Sequence, residues 1–259
     1  MKRVKVCVVT GFGINAELEL AEAFRLTGGA PQRLHIRDLI ENPGRMDGFS
    51  IIAFPGGFSF GDHLGSGQVF ASLFKRHLRS RLDALLERGG LVIGICNGFQ
   101  TLVKMGILPN LSGDWSQDVS LIHNDSGVFE DRWVRLCAPD TRCVWTAGLP
   151  PIECPVRHGE GRFVVKNGSV QKALVDERLI AVRYTARDGG LPAYPENPNG
   201  SLLDIAGVCD RSGRVFGLMP HPEAFLTPYN HPRWTAAVPD RADGLLVFEK
   251  GINAARNSV

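Results

Sequence analysis

No apolar run in this sequence approaches the roughly 18 residues that a membrane-spanning helix needs, so no membrane partner is expected. No CxxC pair occurs among the six cysteines, and six in 259 residues is far below the density of a disulfide scaffold. A reducing, cytoplasmic compartment is the expectation that follows. The seven histidines and six cysteines show no metal-ligand spacing, so no metal is expected. No Gly-x4-Gly-Lys-Ser/Thr run occurs, which removes a phosphate-cradling loop for ATP. Charge of one sign is also lacking. Twenty-nine Lys and Arg against 27 Asp and Glu leave +2, too even for the basic face of a nucleic-acid-binding protein. The basic stretch Lys75 to Arg81 falls on the polar side of an expected helix, where a solvated face is the simpler reading. After Met1-Lys2-Arg3, about six apolar or small residues precede Gly11, too few for a signal-peptide core; they read as a first strand.

What is present is enough apolar residue, 44%, to bury a core in a single domain over residues 1–259. Val4 to Thr10 is a β-branched run typical of a buried parallel strand. Asn15 is placed to cap a helix carrying Glu17 and Glu19 in its first turn, with Ala16, Leu20, Ala23, Phe24 and Thr27 on one stripe and Gly28-Gly29 as its stop. Strands are expected over 34–36, 50–54 and 91–95, and helices over 67–88 and 97–105. That alternation is the pattern of an open α/β sheet. Beyond Pro109 the pattern changes to short strands, over 119–122, 132–137, 153–157, 161–166, 179–184, 204–209 and 214–218. A short helix over 171–176 interrupts them. The turn Asp210-Arg211-Ser212-Gly213 predicts antiparallel additions to the sheet. Residues 186–200 and 227–241 read as loops, and 242–255 as a final helix.

Three segments carry chemistry, each at the end of an expected strand. Gly94-Ile95-Cys96-Asn97-Gly98 has the form of a nucleophile elbow with Cys in place of Ser. The helix that follows directs N–H groups and a positive partial charge at the sulfur, which favours a thiolate and an adjacent oxyanion. Cys7, Cys137, Cys143, Cys154 and Cys209 lie in or near strands and read as small buried residues. A nucleophilic Cys needs a base, and the base an orienter. Pro220-His221-Pro222-Glu223 supplies both: in an extended segment residues i and i+2 share a side, so Glu223 is expected to orient His221. In Phe54-Pro55-Gly56-Gly57-Phe58-Ser59-Phe60-Gly61-Asp62, the glycines let backbone N–H groups turn inward, and the N–H groups of Gly57 and Asn97 are expected to form an oxyanion hole.

Together these segments resemble the class I, or triad, glutamine amidotransferase family, including the Cys96-x-Gly98-x-Gln100 pattern of its elbow. An ordered set then follows: His158-Gly159-Glu160-Gly161-Arg162-Phe163, Asn197-Pro198-Asn199-Gly200-Ser201, Asp204-Ile205-Ala206-Gly207 and Met219-Pro220-His221-Pro222-Glu223. It narrows the resemblance to the purine-biosynthetic branch of that family, over about residues 4 to 250 of the chain. The resemblance implies a three-layer, flavodoxin-like α/β fold, an open sheet mostly parallel with antiparallel additions. It implies glutamine hydrolysis through Cys96, His221 and Glu223, with Gln100 and His158 holding glutamine. It also implies a partner synthetase, with or without a small bridging subunit. That synthetase takes the ammonia and uses ATP and Mg to convert formylglycinamide ribonucleotide to the amidine. No cofactor is expected in this chain. Ala16, where an Asn-Cys-acid pattern is usual, and Ala224, where Arg is usual, depart from the branch. Leu64 to Gly67 and residues 121–127 are more similar to glutaminase domains of long single-chain synthases. Two alternatives stay open: another Cys-dependent amidotransferase or amidohydrolase of the same fold, and a catalytically silent interaction subunit.

Overall fold

The computed structural model describes residues 3–236 and 241–257. Pro239, counted in the loop expected over 227–241, lies outside the described residues. The first half of the chain alternates strand and helix: β1 (Val4–Thr10), α1 (Glu17–Leu26), β2 (Gly29–His35), α2 (Ile36–Glu41), β3 (Ile51–Phe54), α3 (Gln68–Glu87), β4 (Leu91–Ile95) and α4 (Asn97–Met105). The second half is strand-rich: β5 (Val119–Ile122), β6 (Glu130–Cys137), β7 (Ile152–His158), β8 (Arg162–Val165), α5 (Gly168–Asp176), β9 (Ile180–Tyr184), β10 (Ile205–Cys209), β11 (Val215–Leu218) and α6 (Leu245–Asn257).

Nine strands form one sheet in the order β2-β1-β3-β4-β11-β10-β9-β6-β7. Pairing is parallel from β2 through β11 and antiparallel from β11 through β7, so the additions make up half of the pairings. Every residue of β3, β4 and β11 is buried, as apolar strands covered on both faces must be. On one face α3 packs Phe74 edge-on against Phe54 of β3, with ring centroids 4.9 Å apart. On the other, α1 and α6 lie together through Phe24 and Phe248, 5.1 Å apart. This is the expected three-layer arrangement. β5 and β8 do not join the sheet; they pair with each other as a separate antiparallel ribbon.

The structure departs from the sequence expectation at the first helix and second strand. The cap of α1 is Ala16, which has no side chain to offer, and Asn15 instead gives its backbone N–H to the Gly56 carbonyl at 3.3 Å. The second strand starts earlier, at Gly29, and tolerates Pro31 because β2 is an edge strand. It ends before Ile36, where His35 caps a short helix, its Nδ1 accepting from the Arg37 N–H at 3.2 Å.

Sheet order understates how close β7 comes to the functional strand ends. β7 is the far edge strand, yet the His221 N–H, just past β11, donates to the Pro155 carbonyl of β7 at 2.8 Å. The antiparallel half therefore brings β7 back against the carboxyl ends of the parallel strands.

Candidate active site

Cys96 occupies the junction of β4 and α4 with φ +51°, a left-handed conformation that a side chain adopts only when its surroundings impose it. The flanking glycines impose it by allowing close approach. A Cβ on Gly94 would lie 2.6 Å from the Gly98 carbonyl oxygen, and one on Gly98 would overlap the Phe54 carbonyl of β3. The elbow is locked from both sides, as the Cys96 N–H donates to Leu218 of β11 at 2.8 Å and its carbonyl accepts from Gln100 N at 3.0 Å. The thiol itself is 6% exposed and directs Sγ at the Arg157 carbonyl, 3.7 Å away.

His221 follows β11, and its Nδ1–H donates to Glu223 Oε1 at 2.7 Å. The expected pairing of these two residues is present, but the local geometry differs from the expected extended segment. Pro222 to Ala224 form one 3-10 turn, and that turn folds the carboxylate back onto the ring. His221 Nε2 is buried without a hydrogen-bond partner, as is Glu223 Oε2. Burial alone would lower the His221 pKa; the charges of Glu223 and Cys96 outweigh it and raise it to about 10. The ring is thus held as an imidazolium at neutral pH, between a sulfur and a carboxylate.

Gly57 adopts φ +149°, and a Cβ there would meet the Gly13 carbonyl at 2.7 Å, so only glycine fits. It is bridged to Ile14 of the first loop. The Asn97 N–H lies in the first turn of α4, where N–H groups have no intrahelical acceptor. Asn97's side chain is buried behind: Oδ1 accepts from Ser59 N at 3.2 Å and Nδ2 donates to Gln100 Oε1 at 3.0 Å. Gln100 Nε2 in turn donates to the Glu160 carbonyl at 2.6 Å. Gly57, Cys96, Gln100, His158 and His221 line one cavity of about 480 Å³; Asn97 and Glu223 stand behind its wall.

His158 lines the cavity with both ring nitrogens already engaged. Nδ1–H donates to Asn124 Oδ1 at 3.1 Å, and Nε2 accepts from Asn199 Nδ2 at 3.5 Å. Asn124 also accepts from Gly161 N at 3.0 Å and gives Nδ2 to the His158 carbonyl at 2.8 Å. Asn199 Nδ2 reaches the Gly161 carbonyl at 3.0 Å and Tyr184 Oη at 3.2 Å. Burial, reinforced by the charge on His221, lowers the His158 pKa to about 3, so the ring stays neutral. Its geometry fixes the 158–161 turn, whose Glu160 carbonyl holds Gln100. Arg157, Asn124 and Asn199 also belong to this wall, and no motif in the sequence marks their roles there. Arg157 meets Cys96 through a backbone carbonyl, which every residue has, so no sequence signal marks it. Asn199 sits in the Asn-Pro-Asn-Gly-Ser turn, whose density of turn residues is the signal that was available.

Competing thiols are poorly placed. Burial raises the Cys7 pKa to about 12, against a smaller opposing effect of Arg45. Cys154 is pushed well up by burial and nearby carboxylates, and Cys209 by its hydrogen bond to Cys143 and by burial. Among the described residues no group of three or more His, Cys, Asp or Glu is arranged to hold a metal ion.

A strained cysteine at a strand–helix elbow, a buried His–Glu pair and an inward-turned Gly-Gly segment define a triad amidotransferase site on an open α/β sheet. Residues 3–253 match the CobB/CobQ-like glutamine amidotransferase domain, and the chain belongs to that family. Within it, the similarity is to one kind of subunit. The chain is 43% identical over 259 residues to phosphoribosylformylglycinamidine synthase subunit PurQ of Dehalococcoides mccartyi, covering 99% of each. It is 42% identical over 234 residues to the subunit of that name from Methanococcus maripaludis, covering 89% of this chain and 85% of that one. A chain in the solved structure of PurLQS from Thermotoga maritima superposes with a TM-score of 0.73 at 30% identity, over 97% of this chain and 99% of that chain. This is the branch that the ordered motifs imply, and the enzyme is a glutamine amidotransferase.

Proposed function

We propose that the chain is the glutaminase subunit of a phosphoribosylformylglycinamidine synthase and that Cys96, His221 and Glu223 carry its reaction. The observation behind the residue assignment is the buried His221–Glu223 hydrogen bond of 2.7 Å, with an unpartnered Nε2 beside the elbow cysteine. The Cys96 thiolate attacks the side-chain amide carbon of glutamine. N–H groups of Gly57 and Asn97 receive the oxyanion. The imidazolium of His221 gives its proton to the departing nitrogen, ammonia leaves, and a glutamyl thioester remains. Neutral His221 then takes a proton from water; the hydroxide adds to the thioester, glutamate leaves, and the thiolate–imidazolium pair is restored. Glu223 holds the Nδ1–H tautomer and stabilises the imidazolium. Gln100 and His158 shape the glutamine pocket, His158 by anchoring its wall.

Water is the only co-reactant this sequence of steps consumes, so the chain itself needs no cofactor; ATP and Mg act on the synthetase. Ammonia released near pH 7 would be protonated and lost in bulk water, which favours docking against the enzyme that consumes it. The names of the PurQ relatives, as subunits of a synthase, and the PurLQS assembly support that partner. No helix among the described residues is long and apolar enough to cross a membrane, and six free cysteines fit a cytoplasmic location. The test measures glutamate release by the purified chain, then adds synthetase, ATP and formylglycinamide ribonucleotide in turn. Release is expected to rise with the full set. Full activity in isolation, unchanged by every addition, would point instead to a free-standing amidase.

A further inference from the structure

Glu223 orients His221, but among the described residues no other donor holds the Glu223 carboxylate. Its Oε1 accepts from the His221 ring at 2.7 Å, and its Oε2 is buried without a partner. An orienting group must itself be held, because a displacement of about 1 Å can cost about 100-fold in rate. With no second hydrogen bond, the place of this carboxylate depends on the backbone of the Pro222–Ala224 turn. Phe225 closes that turn, its N–H donating to the Pro222 carbonyl at 3.1 Å. The Phe225 ring is buried, edge-on to Trp133 at 5.0 Å and 5.7 Å from the ring of His231. His231 is buried too and stands edge-on to Trp133 at 4.9 Å.

Both ring nitrogens of His231 are engaged. The Arg233 N–H donates to Nδ1 at 3.2 Å, so Nε2 carries the hydrogen and donates to Glu153 Oε2 at 2.7 Å. Glu153 also accepts from Arg233 Nη2 at 3.2 Å and lies 3.4 Å from Arg187 Nη2. Burial would raise its carboxyl; the His231 hydrogen bond and the Arg187 and Arg233 charges outweigh that and hold it below the usual carboxylate range. Glu153 stands on β7, whose outer edge has no strand beside it. Alternate residues of an antiparallel strand turn their backbone groups to the same edge, and an open edge leaves those groups unpaired. Here they are taken up around the site. The Glu153 N–H donates to Asp243 Oδ2 at 3.4 Å, the Pro155 carbonyl accepts from His221 N–H at 2.8 Å, and the Arg157 carbonyl lies 3.7 Å from Cys96 Sγ. Pro155 has no N–H to leave bare on that edge. One strand edge thus touches the nucleophile, the base and, through His231, the segment behind the orienter.

We propose that Glu153 and His231 are positioning residues for the triad: their hydrogen bond seats the Phe225 ring against Trp133, and Phe225 holds the turn that presses Glu223 onto His221. Neither residue lines the cavity beside Cys96. They act on the proton transfers of His221 and leave the binding of glutamine alone.

This rests on the triad reading, and the experiment separates the two. Glutamate release is measured in the complex with synthetase, ATP and formylglycinamide ribonucleotide. Glu153→Ala and His231→Ala are each expected to lower kcat about 10-fold with KM within about 2-fold of wild type. Glu153→Gln keeps an acceptor for His231 and should stay within about 3-fold of wild-type kcat. In a Glu223→Ala background no carboxylate is left to place, so adding Glu153→Ala should cost less than about 2-fold more. A merely structural contribution would cost the same factor in both backgrounds. Should Glu153→Ala or His231→Ala fail to melt cooperatively, Glu153→Met and His231→Phe, which keep the bulk and lose the bond, are read in their place. Full kcat in Glu153→Ala, an equal loss in Glu153→Gln, or an undiminished loss in the Glu223→Ala background would overturn the assignment. Full activity of Glu223→Ala itself would instead overturn the triad reading.

Discussion

The two halves of the central sheet contribute to the site by different physical means. In the parallel half, β2-β1-β3-β4-β11, the proposed nucleophile and oxyanion hole rest on backbone conformation. Cys96 at φ +51°, Gly57 at φ +149° and the Gly98 approach to Phe54 are steric facts, held by β3 and β4, which have no exposed residue. In the antiparallel half and the turns attached to it, function rests on saturated side-chain hydrogen bonds. Asn124, His158, Asn199, Ser201 and Tyr184 are all buried and bonded to one another or to the Gly161 backbone. The contrast follows from what each half must do. A nucleophile and an oxyanion hole need fixed atoms at a strand end, which strain and close packing provide. A pocket wall built from loops has no ladder to hold it, so polar networks replace the ladder. The halves meet at β11, whose parallel edge faces β4 and whose antiparallel edge faces β10, and His221 follows that strand.

This contrast predicts that replacing the reactive side chains removes rate and leaves the fold, whereas filling the close backbone approaches of the parallel half costs stability. Cys96→Ser should lower glutamate release by at least about 10³-fold, roughly 4 kcal/mol of barrier, with an unchanged melting temperature. His221→Ala should be nearly as damaging, because the two act as a unit, and Glu223→Gln milder. A glutamine-like electrophile should label Cys96 and spare the buried Cys7, Cys154 and Cys209. Labelling of Cys7 or Cys209 with Cys96 untouched, read by peptide mass analysis, would remove Cys96 from its proposed role.

The elbow glycines test the steric half of the comparison. Gly98→Ala puts a Cβ onto the Phe54 carbonyl, and β3 and α4 must separate to admit it. The expected cost is at least about 3 kcal/mol of stability, seen as a lower denaturant midpoint, because backbone cannot move aside as a flexible side chain does. A soluble, fully active Gly98→Ala protein would mean the close approach is not what sets the elbow.

Legibility in the sequence divided along the same line. The parallel strands β1, β3 and β4 and helices α3 and α4 show in periodicity and glycine punctuation, because their residues answer to a local period and a two-sided core. Cys96, His221, Glu223 and Gly57 stand out because each sits at a strand end beside glycine or proline. The short helix at 36–41 does not show, since His35 capping it is an unusual choice and Leu34 and Ile36 on either side of it alternate as in a strand. The His–Glu pairing forms through the turn at Pro222–Ala224 and not through the extended segment that the flanking prolines predict. The return of β7 onto His221, and with it the place of the Arg157 carbonyl beside Cys96, joins strands far apart in the sheet order, and no local pattern encodes that.

Asn199 tests the hydrogen-bonded half. Asn199→Ala leaves Tyr184 Oη and His158 Nε2 short of a donor in a site with no exposure. A loss of about 1–3 kcal/mol of stability is expected, with a fall in melting temperature of several degrees and a smaller loss of rate than at Cys96. Rate lost with stability unchanged would contradict the division.

The last expected effect is a slope. His158 has a folded pKa of about 3 against an ordinary 6.5, because burial and the His221 charge disfavour its cation. Between those values the unfolded chain binds a proton that the folded protein refuses. Its neutral state therefore contributes stability in full above pH 6.5, and loses it as pH falls towards 3. The limit for one group is about 1.4 kcal/mol per pH unit. His221 has the opposite sign: its folded pKa of about 10 gives stability in full below 6.5, lost as pH rises through 10. Subtracting the unfolding free energy of His158→Gln from that of wild type cancels the other titrating groups. That difference should shrink between pH 6.5 and pH 4 and stay level from pH 7 to pH 8. A difference that stays flat on the acid side would mean His158 is charged within the folded wall. The Asn124 and Asn199 contacts would then have to be reassigned to a ring that donates from both nitrogens.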